Sequence, residues 1–202
     1  MAPRPFALPY NVGIDICHVP RIVRFLITPS LPSSITASQR PGRITKLLDR
    51  IYHPLEQRYY WARFGGDGVS IDIISKHIAG RWAAKEAVIK AVKPRRILLR
   101  DVVVLSHPRD SSDPSSGGVY AVVLDRPFDT KATPKPTPVT KHKPLKFFDK
   151  NKPKLQALQA EDIAKSVQGL EGEIVNLSIS HDGDYACAVC IAPTMHATPT
   201  SE

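Results

Sequence analysis

The stretch GRWAAKEAVIKA, Gly80 to Ala91, has the build of an interior helix yet carries Arg81, Lys85, Glu86 and Lys90. At 100° per residue, Ile78, Trp82, Ile89 and Val92 form one apolar stripe, and Ala84, Val88 and Ala91 form a second. Lys85 falls in the middle of the first stripe. Glu86 and Lys90 lie on its flank, one turn apart. A solvated Glu-to-Lys pair at this spacing is worth only ~0.3–0.5 kcal/mol, far less than the cost of burying a charge. Either the charges reach solvent, or a metal or phosphate beside the helix offsets their burial. The helix alone leaves both open. Its periodicity runs from near Ser75 to just before Pro94.

Working outward, NVGIDI alternates Val12, Ile14 and Ile16 with Gly13 and Asp15, a strand pattern. Pro20 sits where a first helical turn can begin, followed by the apolar face Ile22, Val23, Phe25 and Leu26 beside Arg21 and Arg24. Ile44, Leu47, Leu48 and Ile51 have helical spacing, Pro54 opens another helix, and the glycines at 65, 66 and 68 end it. Strands are expected over Asp101–Ser106, Val119–Asp125, the segment IVNLSIS and Tyr185–Ala192, with Asp182-Gly183 as a hairpin turn. A short helix is expected around Leu155–Val167. The expected domain is 11–192, α+β in class, with a small antiparallel sheet packed with helices. It has flexible Pro/Lys-rich insertions at 28–43 and 129–154 and loose termini at 1–10 and 193–202.

The net charge of +9 is concentrated. From Asp129 to Lys154 there are eight lysines and two aspartates, alternating with prolines. A nucleic-acid groove would interleave arginines and aromatics on folded elements, so nucleic acid is not the expected partner. No apolar run is long enough to span a membrane, and the first twelve residues hold three prolines and no signal-length apolar core. The three cysteines read as free thiols. Cys187 and Cys190 form C-x-x-C within a strand, where residues three apart point to opposite faces and cannot share an ion.

Two further residues bear on the helix charges. Asp15 is a poor strand residue. It is either the solvent face of a half-exposed strand or a hard oxygen ligand that meets Glu86 across strand and helix, an arrangement magnesium accepts. His181, ending SISH at the hairpin, is either a turn residue or a phosphate donor and proton carrier.

Together GIDI with Arg21, GRWAAKEAVIKA and LSISHDGDYACAV, in this order, resemble the phosphopantetheinyl transferases, most closely the short holo-acyl-carrier-protein synthase type. RIYHPLEQRYY adds to the likeness, and the padding is similar to that of fungal mitochondrial forms. The resemblance implies transfer of 4′-phosphopantetheine from coenzyme A to a carrier-protein serine, releasing adenosine 3′,5′-bisphosphate. It implies Asp15 and Glu86 as magnesium ligands, Lys85 and Lys90 on phosphate oxygens, His181 at the pyrophosphate and Arg81 toward the 3′-phosphate. Glu86, Lys90 and His181 would form the catalytic set. The proton acceptor would be Glu86 or a metal-bound water, with Glu56 an outside candidate. Arg21 and Arg24 would dock an acidic acyl carrier protein. A homotrimer is implied, in mitochondria or, alternatively, the cytoplasm. The rival readings are a magnesium-dependent nucleotide or coenzyme A phosphohydrolase and a basic nucleic-acid-binding module.

Overall fold

The computed structural model describes residues 9–27, 41–65, 69–93, 95–106, 118–129 and 167–194. The expected insertions therefore lie almost wholly outside the described residues, as do the expected helix before Val167 and the far end of the C-terminal tail. Five strands form one antiparallel sheet: β1 (Tyr10–His18), β2 (Val102–Ser106), β3 (Val119–Leu124), β4 (Gly172–Asp182) and β5 (Tyr185–Pro193), in the order β1-β5-β4-β3-β2. Among the described residues four α-helices accompany them: α1 (Val19–Leu26), α2 (Pro41–Ile51), α3 (Pro54–Phe64) and α4 (Ile71–Ala91). The fold is α+β, as expected. Helix α2 takes up residues 41–43, the end of the expected first insertion.

Helix α4 begins four residues earlier than its periodicity suggests. Its cap is Ser70, whose hydroxyl accepts from the Ile73 amide at 3.3 Å, while Ser75 is a buried mid-helix residue. The helix is buried around most of its circumference. It lies across one face of the sheet, on Cys17, Val175, Val102, Val104, Ala121 and Val123, and on the row Ala186, Ala188, Cys190 and Ala192 of β5. Small side chains in that row let helix and sheet approach closely. At Gly13 the approach is closer still: a Cβ there would sit 1.9 Å from the Ala87 carbonyl oxygen, so only glycine fits.

Beneath β2 and β3 the opposite sheet face is covered. Val103, Leu105, Val122 and Leu124 pack with Leu55, Tyr120, Phe128, Val167 and Leu170. Beneath β1, β5 and β4 no described residue covers it. Val12, Ile14, Ile16, Val189, Ile191 and Ile174 are all exposed, and the pairs Val12–Ile191 and Ile14–Val189 stand directly opposite one another. Cys187 points to this face and Cys190 to the core, both as free thiols, as strand alternation requires.

Candidate functional site

Strand β1 turns Asp15 toward the helix and not to solvent. Its isoleucines face outward, so Gly13, Asp15 and Cys17 face α4. The Lys90 ammonium donates to Asp15 Oδ1 at 2.6 Å and to the Ile14 carbonyl at 2.9 Å. The Asp15 side chain is 18% exposed and that of Lys90 45%. Glu86 lies one turn before Lys90 and is half-buried, with no ion pair among the described residues. A carboxylate and a carbonyl here already hold a positive charge, and a second carboxylate stands nearby. That donor set, hard oxygen throughout, fits magnesium. Among the described residues no three His, Cys, Asp or Glu side chains converge, so further ligands would be water and phosphate oxygens.

Lys85 has a different place from the expected one. Its ammonium is fully buried and donates to Glu56 Oε2 at 2.6 Å, to the Leu99 carbonyl at 2.9 Å and to the Val102 carbonyl. All three protons are used inside the protein, which leaves none for a phosphate. Burial pushes its pKa below the ordinary lysine range, against the opposing pull of the Glu56 carboxylate. Glu56 is equally committed. Oε2 also accepts from the His53 amide at 2.9 Å, completing the capping box of α3, and Oε1 accepts from the Val104 amide at 3.1 Å. Strand β2 is an edge strand, so the ion pair supplies partners that a neighbouring strand would otherwise offer. Glu56 is not free to act as a general base.

His181 sits at the other end of α4. Its ring rests on Gly80, where a Cβ would come within 2.8 Å of Nε2, and Nε2 donates to the Lys76 carbonyl at 3.0 Å. Gly80 and Lys90 are ten residues apart, about 15 Å along the helix. Arg81 lies at the His181 end. It is 7% exposed, and its Nη1 has no hydrogen-bond partner among the described residues. His77, near Arg81, is held neutral: burial first, then the Arg81 charge, takes its pKa down to about 3. Arg21 and Arg24 are exposed on α1.

The fold thus joins Lys90 to Asp15, with Glu86 one helical turn away on α4, sets Arg81 and His181 at the other end of the helix, and withdraws Lys85. Sequence reasoning missed the Lys85–Glu56 pair and the two contact glycines. The signals for them were the Pro54 and Glu56 spacing of a capping box and the glycines that open each motif.

The family model described as the 4′-phosphopantetheinyl transferase superfamily matches residues 11–133. The 4′-phosphopantetheinyl transferase B, mitochondrial, of Aspergillus fumigatus is 27% identical over 93% of this chain and 96% of its own. The holo-[acyl-carrier-protein] synthase of Gloeobacter violaceus is 34% identical over 48% of this chain and 58% of its own. Among solved structures, the ACPS–CoA complex of Chronobacterium ammoniagenes is 24% identical, covers 93% of this chain and 98% of that one, and gives a TM-score of 0.42.

Proposed function

From membership of the 4′-phosphopantetheinyl transferase superfamily, to which this chain belongs, we propose that it moves 4′-phosphopantetheine from coenzyme A to a serine of an apo acyl carrier protein and releases adenosine 3′,5′-bisphosphate. The observation that carries the reading is the cation seat at Asp15, occupied by the Lys90 ammonium, with Glu86 one helical turn before that lysine.

The reaction joins the serine oxygen to the phosphorus bearing pantetheine and breaks the pyrophosphate bond beyond it. Such a transfer needs positioning and charge neutralisation more than covalent participation by the protein. Asp15 and Glu86 are the residues that would hold magnesium. When bound, the ion polarises the attacked phosphate and neutralises the departing one. Lys90, on a flexible stem beside Asp15, neutralises phosphate oxygens. The unpartnered Arg81 Nη1 is suited to a phosphate. With Nε2 protonated and tied to Lys76, His181 is oriented by its own backbone contact. The serine proton leaves toward the Glu86 side of the site, because Glu56 has both oxygens engaged.

Two observations support a homotrimer with shared sites. The face of β1, β5 and β4 that no described residue covers is an apolar patch of the kind that marks an interface. The Asp15 and His181 clusters stand ~15 Å apart along α4, so a neighbouring copy can present its His181 end to this copy's Asp15 end. Exposed Arg21 and Arg24 suit an acidic carrier. The mitochondrial A. fumigatus relative supports residence in that organelle.

The test is to incubate the protein with coenzyme A, magnesium and an apo acyl carrier protein, and to weigh the carrier by mass spectrometry. A gain of about 340 Da, one phosphopantetheine, is expected. It should disappear with EDTA and with Glu86→Gln. Breakdown of coenzyme A with no gain by the carrier would replace this reading with the hydrolase.

A further inference from the structure

The Lys90 ammonium spends two of its three protons on Asp15 Oδ1 and the Ile14 carbonyl, at 2.6 and 2.9 Å. These are hard oxygens of the class a divalent cation seeks. The two partners differ in freedom. Asp15 is fixed in a strand and mostly covered, while the Lys90 side chain is 45% exposed on a flexible stem. An ammonium and a dication cannot share one carboxylate oxygen without strong repulsion.

We infer that Lys90 is the resident counter-ion of Asp15: it holds the carboxylate while the divalent cation is absent and swings off when the cation enters. This rests on the magnesium and coenzyme A reading above. The displaced ammonium needs a new anion, and the pyrophosphate of coenzyme A brings one. Cation and coenzyme A therefore bind with mutual help, because each removes an obstacle to the other. By linkage, the factor by which coenzyme A tightens cation binding equals the factor for the reverse.

The probe is Mn²⁺, followed by the electron paramagnetic resonance of the free ion, with the whole chain and with no carrier present. Without coenzyme A, Lys90→Met should bind Mn²⁺ roughly three- to fivefold more tightly than the parent, the upper end of what a partly exposed ion pair is worth. Lys93→Met removes an exposed cation three residues after Lys90 and seven after Glu86 and serves as the control. It should stay within about twofold, since diffuse surface charge is screened. With coenzyme A present, the parent should tighten its hold on Mn²⁺ by a larger factor than Lys90→Met does. Asp15→Asn should lose the binding. Lys90→Gln gives a second variant if Lys90→Met does not fold, as judged by circular dichroism.

The inference is overturned if Lys90→Met and Lys90→Gln bind Mn²⁺ no more tightly than the parent. Equal shifts from Lys93→Met, an unchanged coenzyme A coupling, or Mn²⁺ binding retained in Asp15→Asn would each overturn it as well. Failure of the transferase reading looks different: the parent would show the lysine–cation competition and still leave the carrier mass unchanged.

Discussion

Replacing Lys85 with Met tests whether the buried ion pair joins α3, α4 and β2 as described. The substitution keeps the length and apolar stem of the side chain and deletes the ammonium. Three groups then lose a partner in the dry interior: the Glu56 carboxylate, 4% exposed, and the carbonyls of Leu99 and Val102. Glu56 keeps its two backbone amide donors, so the damage is less than for a bare charge. Removing one member of a buried pair costs about 3–5 kcal/mol, against a total stability of about 5–15 kcal/mol. For a chain of this size each kcal/mol lowers Tm by about 2–4 °C, so a fall of about 6–20 °C is expected in thermal unfolding. Glu56→Leu combined with Lys85→Met removes both charges and should recover part of the loss, because an apolar pair is tolerated where a half-pair is not. A fall of less than about 2 °C for Lys85→Met, or additive effects in the double variant, would refute the reasoning. The same measurement separates Lys85 from Lys90, which is solvent-facing and should cost little stability when replaced.

Gly13→Ala should lower stability by about 3 kcal/mol, because its Cβ meets helix backbone that cannot rotate away; chemical unfolding reads this, and a loss under about 1 kcal/mol would count against the close approach. Arg21→Glu should raise KM for the carrier about tenfold and leave KM for coenzyme A unchanged; steady-state kinetics with each substrate varied would show equal damage if docking were not its role. Stability should also decline with acid. Folding holds His53 down to about 4 and His77 down to about 3, in both cases mainly through burial. The unfolded chain protonates both near 6.5, so unfolding takes up protons below that pH. Tm should be level above about pH 6.5 and drop steadily as pH falls toward 4, with a shallower slope in His77→Gln. A level Tm between pH 7 and 5 would contradict the burial of these rings.

The helix that opened the reading was legible because its apolar residues occupy two stripes and leave little room for water. The position of Lys85 within a stripe was equally visible. Its partner was not, since Glu56 lies 29 residues away and only the packing of α3 against the edge of the sheet brings them together. A buried lysine in the middle of an apolar stripe is therefore ambiguous in sequence between a ligand-binding group and a structural tie. Strand β1 shows a second limit. Its alternation marks a strand, but isoleucines that await a partner surface look the same as isoleucines in a core. Asp15 and Glu86 drew attention because aspartate is a poor strand residue and Glu86 is a charge on a helix that is otherwise mostly apolar. His181 was placed on the final hairpin by its turn residues, whereas its seat on Gly80 needed the register of β4 against α4.

Two of the three lysines of α4, Lys85 and Lys90, hold opposite borders of the sheet. Lys85 takes the Val102 carbonyl on β2, and Lys90 takes the Ile14 carbonyl on β1. One helix thus straps the sheet across its full width. The two straps differ in kind: the one on β2 is sealed in, and the one on β1 can be unfastened. On the β2 side, stray strands from other chains find the backbone already taken, which guards against edge-to-edge aggregation. On the β1 side the strap is half-exposed, so a Lys90 that leaves Asp15, as proposed above, would also release the Ile14 carbonyl and loosen the border of the sheet.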